Sequence, residues 1–392
     1  MPPSSDPSEK RVLILTAGFG DGHNAAAKGI RLALGEHADT NVLEVDIFDL
    51  AYPAISGILK KSYRFGITHM PKLWEKAYHL SDNISYKNDS LGVFRKAMLG
   101  LKRLLEEWQP DAVVHTYPFY SQLLEAIVGR FQILPFTVTT VITDAVSINQ
   151  TWLKGRTDTF IVIDEASRDV LISWGIPEEK VKAMGFPVSP EYERLSEHGV
   201  SDEKFECPPR LLYLPSTPKG HISATMREIL SVTRDLDLKL TIVLGRHTRR
   251  LARMMKGWQK KFPTGSMEII GWTDSIPRLL REHHVIIGKA GGASVQESTA
   301  AHRPLLVNYV VPGQEEGNAV RIVEAGCGMY IKNPEGIAPA LRDIFANEGK
   351  KWREMCNAAR VIAVPDAAYQ VADFVLQQIE NLPNHSTINT HD

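Results

Sequence analysis

Two glycine loops carry the residues best placed to do chemistry. The first, "GFGDGHNAAAKGI" from Gly18 to Ile30, follows the apolar run "RVLIL" and delivers His23 to the start of a helical pattern. Helix N-termini expose backbone N–H groups and a positive dipole end, so an imidazole there is suited to stay neutral and accept a proton. The alternative is structural: Gly18, Gly20 and Gly22 make a tight strand-to-helix turn and His23 caps it. Their spacing is G-x-G-x-G, with His23 where a third glycine would permit close helix packing, so the dinucleotide fingerprint G-x-G-x-x-G is not met. Asp46, closing "NVLEVD", stands where it can imitate a ribose-binding acid and keeps a dehydrogenase reading open.

The second loop lies in "VIIGKAGGASVQESTAAHRPLLVNYVVPGQEEGNA", Val285 to Ala319. Gly288, Gly291, Gly292 and Ser294 offer donors at a helix start, a cradle for a diphosphate, with the charge of Lys289 beside it. Glu297 is expected on the first turn of that helix, as a carboxylate bridging two ribose hydroxyls or as a partner of the helix dipole. Gln314, Glu315 and Asn318 follow the next strand. They form either a solvated loop or a cluster that reads sugar hydroxyls at the carboxyl end of a parallel sheet.

Such loops need strands to hold them. Buried-strand runs "RVLILT", "NVLEVD", "AVVHTY", "FTVTTVIT" and "TFIVI" alternate with helical patterns in the first half, and "RLLYLP", "KLTIVLG", "MEIIGW", "VIIGKAG" and "PLLVNY" do so in the second. The pattern predicts an α/β chain with two Rossmann-like parallel sheets. "MGFPVSPEYERLSEHG", rich in proline, glycine and charge, reads as the linker, with the boundary near Pro187. The expected division is a disordered lead-in over 1–10, a first Rossmann-like domain over 11–187 and a second over 188–365. An amphipathic helix over 366–382, packing back on the first domain, and a disordered tail over 383–392 complete it.

Composition narrows the classes. Of 392 residues, 43% are hydrophobic and 23% charged, and the formal net charge is -1, which gives no general electrostatic reason to bind nucleic acid. Cys207, Cys327 and Cys356 are too few and too scattered for a disulfide framework or a zinc site, which fits a reducing, cytosolic setting. The polar start "MPPSSDPSEK" lacks the apolar region of a secretory signal, and no apolar run approaches a spanning helix, so membrane contact is expected to be peripheral. "DLD" at Asp235 to Asp237 reads as a solvated turn, not a metal-binding D-x-D. From Tyr52 to Arg103 the texture changes: ten basic residues face three acidic ones, interleaved with Tyr52, Tyr63, Phe65, Trp74 and Tyr78. This suits the headgroup layer of an anionic bilayer, or an ordinary basic helical insertion whose aromatic residues are core.

"ILTAGFGDGHNAAAKGI", "VITDAVSINQTWL", "GFPVSPEY", "KAGGASVQES" and "PGQEEGNA" resemble, in matching order from Val12 to Ile331, the monogalactosyldiacylglycerol synthases and processive diacylglycerol glucosyltransferases. These are glycosyltransferases of the two-Rossmann-domain GT-B type, with the sheets facing across a cleft. The resemblance implies a UDP-glucose or UDP-galactose donor and a diacylglycerol acceptor, with no separate cofactor and no metal. Gly291, Gly292, Ala293 and Ser294 would hold the diphosphate, Glu297 the ribose, and Gln314 and Glu315 the hexose, with Asn318 beside them. Gly271, Trp272 and Ile276 would flank the uracil, and Lys289 matches a family lysine. Two departures stand out: "GGAS" replaces a loop that often carries proline and threonine, and "LPSTPKGH" replaces one that is often glycine-rich.

Inverting transfer needs a base for the acceptor hydroxyl and an offset for the charge of the leaving UDP. Asp144, after "FTVTTVIT", falls at the carboxyl edge of the first sheet and aligns with the family's proposed base; a helix cap is its other reading. The expectation is Asp144 as base and His23 orienting the acceptor hydroxyl or sharing its proton, with Gly20 and Gly22 in the acceptor loop, on the inner face of the membrane. Other readings keep the fold with a different acceptor, or make the protein a non-catalytic sugar-nucleotide sensor.

Overall fold

Continuous runs of Val, Ile, Leu and Ala become strands because a sheet covered by helices on both faces leaves no solvated side. The computed structural model describes residues 9–18, 20–53, 56–57, 94–129, 134–145, 148–195, 205–311 and 315–382. The chain splits into two compact units. One runs to Pro190 and resumes at Asp366; the other spans Glu191–Pro365.

The first unit contains β1 (Lys10–Leu15), β2 (Thr40–Val45), β3 (Ala112–His115), β4 (Thr137–Val141), β5 (Thr159–Val162) and β6 (Val181–Ala183), all parallel, in the order β2-β1-β3-β4-β5-β6. The order reverses between β1 and β3, the point where a crevice opens beyond the strand ends. Register brings Leu15 beside Val45 and His115, and His115 beside Thr140, so the loops that follow these strands leave the sheet at one level. Helix α1 (Asp21–Leu34) buries Ala26, Ala27, Ile30, Ala33 and Leu34. This alanine-rich face lies in one core with Ile14, Val114 and the C-terminal helix Ala367–Glu380, which contributes Ala368, Val371, Ala372 and Val375. Burying each of those valines stabilises the unit by about 1.5–3 kcal/mol. Gly29 is required where α1 crosses the 187–188 backbone: a Cβ there would lie 2.1 Å from the Pro187 carbonyl oxygen.

The second unit contains β7 (Arg210–Tyr213), β8 (Lys239–Val243), β9 (Met267–Ile270), β10 (Val285–Lys289), β11 (Leu305–Tyr309) and β12 (Gly328–Tyr330), again all parallel, in the order β12-β11-β10-β7-β8-β9. Here the reversal falls between β7 and β10. Helices α2 (Lys219–Thr233), α3 (Thr248–Gln259), α4 (Gly292–Ala300) and α5 (Glu316–Glu324) follow β7, β8, β10 and β11. The helix Ile337–Ile362 breaks at Ala346–Gly349, where Asn347, Glu348 and Gly349 take left-handed backbone angles and Gly349 meets the Phe205 ring. The ten strands read from buried runs are all present. The two that sequence did not signal, β6 and β12, are three-residue edge strands.

Candidate active site

Register explains why distant residues meet in the first unit. His23 is the third residue of α1, and Gly20, not His23, occupies the N-cap position. The imidazole Nδ1 lies 2.9 Å from the Thr143 hydroxyl just past β4, and the His23 carbonyl accepts a bond from the Thr116 hydroxyl just past β3 at 3.0 Å. The ring packs edge-on to Tyr117 at 5.2 Å and tilted against Trp152 at 5.9 Å. Among the described residues Nε2 has no hydrogen-bond partner, and a Cβ added at Gly20 would lie 3.8 Å from it. Burial lowers the His23 pKa, opposed by the charge of Asp144 and by an interaction of the ring with the Thr116 backbone, and the net shift favours the neutral ring.

Asp144 does not cap a helix. Asn149 caps the 3-10 turn Gln150–Leu153, and that turn aims the buried Trp152 back so that its indole Nε1–H donates to Asp144 Oδ2 at 2.8 Å. The other oxygen, Oδ1, accepts no hydrogen bond from the described residues. Burial raises the Asp144 pKa, while His23 and the Trp152 bond act to lower it. One oxygen is thus anchored, the other unengaged and the proton affinity of the group raised, which are attributes that a general base needs. Asp46 serves the fold instead. Its carboxylate accepts from Gly18 N at 2.9 Å, Phe48 N at 3.0 Å and Asp49 N at 3.2 Å, fastening the glycine loop to the next helix. The Tyr120 hydroxyl reinforces this by donating to the Thr16 carbonyl at 2.6 Å and accepting from Ile47 N.

In the second unit the glycine loop after β10 is built around an internal ion pair. Lys289 Nζ bonds Glu315 Oε1, and Glu315 Oε2 accepts from Val311 N at 3.0 Å. Gly291 lies under that pair: a Cβ there would stand 3.0 Å from Lys289 Nζ. Asn318 Nδ2 donates to the Ala290 carbonyl at 3.1 Å and ties α5 to the same loop. What faces outward is the start of α4, where Gly292, Ala293 and Ser294 open the helix and no acidic residue occupies its first turn. First-turn N–H groups with a positive dipole end form an anion site.

Glu297 requires a correction. The helix begins at Gly292, so Glu297 is its sixth residue and lies on the second turn, beyond the reach of the terminal dipole; it is instead electrostatically linked to the buried Tyr192. Gly271 follows β9 and lies against Thr248, Trp272 is 63% exposed, and Ile276 opens the helix Ile276–Glu282. β7 and β8 separate this loop from β10, a span of about 14 Å at ordinary strand spacing. Gln314, and the basic stretch between residues 58 and 93, lie outside the described residues.

Sequence reasoning missed three groups. Thr143 and Trp152 hold His23 and Asp144, and the third is Arg250 on α3. Its guanidinium donates to the Thr217 carbonyl, after β7, at 3.2 Å, its Nε is buried without a partner, and no described carboxylate pairs with it. Thr217 is itself 2% exposed, with Oγ1 unpartnered.

Comparison with known proteins agrees with this architecture. Residues 23–188 match the family model of monogalactosyldiacylglycerol (MGDG) synthase, and residues 219–371 match the glycosyltransferase family 28 C-terminal domain. The chain is similar to a processive diacylglycerol beta-glucosyltransferase of Bacillus cereus, 25% identical over 97% of both chains. It is also similar to the chloroplastic monogalactosyldiacylglycerol synthase of Spinacia oleracea, 28% identical over 93% of this chain and 72% of that one. Among solved structures, a putative UDP-N-acetylglucosamine 2-epimerase from Listeria monocytogenes superposes with a TM-score of 0.60 at 14% identity, covering 96% of this chain and 98% of that one. At that identity the likeness shows the fold. Two parallel-sheet units of this kind, joined to the two matched domains, define a GT-B glycosyltransferase. The chain's two matched domains are those of the monogalactosyldiacylglycerol synthases and of glycosyltransferase family 28, and its similarity to the processive diacylglycerol glucosyltransferases runs over nearly the full chain.

Proposed function

We propose that the enzyme transfers glucose or galactose from a UDP-sugar to the free hydroxyl of diacylglycerol, with inversion, at the cytoplasmic face of an anionic membrane. The observation that carries this reading is the Asp144 carboxylate, anchored by Trp152 through one oxygen and unengaged at the other, with neutral His23 beside it. The names of the two relatives support the lipid acceptor and a hexose donor.

In this reading Asp144 takes the proton of the acceptor hydroxyl as its oxygen attacks the anomeric carbon and the bond from that carbon to the UDP oxygen breaks. His23 presents Nε2 to the same hydroxyl, as donor or acceptor according to tautomer, and Gly20 and Gly22 leave room for it. The departing diphosphate settles on the N–H groups of Gly291 to Ser294, with Arg250 adding a positive charge. Glu297 holds the ribose, the loop with Gly271, Trp272 and Ile276 flanks the base, and Gln314, Glu315 and Asn318 shape the hexose pocket. Lys289 acts through Glu315, keeping the loop in place.

The test incubates purified protein with UDP-glucose or UDP-galactose and diacylglycerol in anionic vesicles, following UDP release and glycolipid by mass spectrometry. Glycolipid from one donor names the sugar. UDP release without glycolipid overturns the acceptor; binding of UDP-sugar with neither release nor product overturns turnover and makes the protein a sensor.

A further inference from the structure

The outer face of α3 carries a charge pattern that the reaction does not use. From Gly245 to Met267 there are seven Lys and Arg residues and no Asp or Glu. Arg249, Arg253, Lys256 and Lys260 recur at steps of four, three and four, which at 3.6 residues per turn places all four within an arc of about 60° and a length of about 16 Å. All four are exposed, and none pairs with a described carboxylate. The opposite face buries Leu251, Met255 and Trp258 in the core of the unit, which fixes the stripe outward. An ordinary solvated helix mixes its signs, as the neighbouring helix does with Arg278 and Glu282 at 2.6 Å. Arg249 moreover stands in the first turn, where the helix dipole disfavours a cation and no acidic residue offsets it.

Basic groups in a row on an exposed helix face, with no acidic residue among them, are the composition of a surface that rests on charged headgroups. Among the described residues no helix is long and apolar enough to cross a membrane.

We infer that the Arg249–Arg253–Lys256–Lys260 stripe of the second unit is a docking surface for an anionic bilayer. It rests on the lipid-acceptor reading above. The acceptor is then met by an enzyme held at the headgroup layer through its donor-binding unit.

The experiment sediments the full chain with vesicles of phosphatidylcholine alone and of phosphatidylcholine mixed with phosphatidylglycerol, at low and high salt. Wild type is expected to bind only the mixed vesicles and to be released by salt. The variant Arg249→Glu/Arg253→Glu/Lys256→Glu/Lys260→Glu is expected to lose binding, about fivefold or more for each charge removed, while Arg249→Lys/Arg253→Lys binds like wild type. Both variants should melt with wild type and retain transfer to short-chain diacylglycerol in neutral detergent. Undiminished sedimentation of the glutamate variant, or equal binding of wild type to both vesicle types, overturns the proposal. Absence of glycolipid in detergent overturns the acceptor reading instead, and the sedimentation result is read independently of it.

Discussion

The loop after β1 and the loop after β10 share one plan, a buried strand, a glycine turn and a helix beside the reversal point of a parallel sheet, yet they dispose of charge in opposite ways. After β10 the ionised groups are consumed internally, Lys289 by Glu315 and Glu315 by Val311 N, and what is offered outward is backbone. After β1 the backbone is consumed, Gly18 N by Asp46, and what is offered outward is a pair of titratable side chains, His23 Nε2 and Asp144 Oδ1. Backbone N–H groups have fixed polarity and suit an anion that must be held. Side chains whose pKa values are moved by burial suit a proton that must be passed. Glycine spacing is therefore a poor guide to what such a loop binds; the fate of its neighbouring charges is a better one.

The sharpest way to break this contrast is Asp144→Asn. Loss of a general base costs roughly 10²–10⁴-fold in rate, so transfer should fall by that order while UDP affinity, measured by calorimetry, stays at the wild-type value. Because burial raises the Asp144 pKa, its ionised form is disfavoured by folding, and the neutral amide should melt no lower than wild type near pH 7. Retained transfer would remove Asp144 as the base. On the other loop, Lys289→Met leaves the buried Glu315 carboxylate without its partner and should cost about 2–3 kcal/mol of stability, the partial exposure of Lys289 keeping this below a fully buried pair. Adding Glu315→Gln should restore part of that loss. If Lys289→Met weakens UDP binding without lowering the melting temperature, the lysine serves the ligand and the contrast fails.

Arg250→Ala sharpens the donor side alone. A charged hydrogen bond contributes about 1.5–3 kcal/mol, so UDP affinity should fall roughly 10–100-fold. Uridine, which lacks the diphosphate, should bind as before; an equal loss for both ligands would place Arg250 in the fold and not at the phosphates.

How much of this could be read beforehand follows from which contacts are local. Runs such as "RVLIL" and "VIIGK" announce buried strands because their patterning is self-contained, whereas "VKA" and "GMY" become strands only because a neighbouring edge is available to pair with. The turn occupied by Glu297 depended on whether α4 starts at Gly292 or later, a boundary that glycine-rich sequence leaves poorly defined. His23 and Asp144 were recognisable, and so was their meeting at one sheet edge. The groups that hold them were not, because Thr143 joins His23 only through the sheet, across 120 positions, and Trp152 reaches Asp144 only when the 3-10 turn folds back. Arg250 was hidden for a related reason: among six other basic residues its distinction is the burial of its Nε, a property of the fold.

The smallest effect should come from Trp152→Phe, which keeps an aromatic ring and deletes one N–H. That hydrogen bond favours the ionised form of Asp144, so its removal leaves burial less opposed and the carboxyl pKa rises further above the ordinary aspartate range. Since the base must be deprotonated, the acid limb of kcat/KM should move to higher pH, while the rate at alkaline pH, where Asp144 is ionised in both proteins, approaches wild type. Stability follows with the same sign. A carboxyl whose pKa is higher in the folded than in the unfolded chain makes the protein less stable as pH rises through that window, and the variant should show the steeper decline. Melting temperatures and rates collected across one pH series measure both. A variant that is merely destabilised by its smaller ring would melt lower at every pH with the acid limb unmoved, and Trp152 would then be a packing residue without influence on the base.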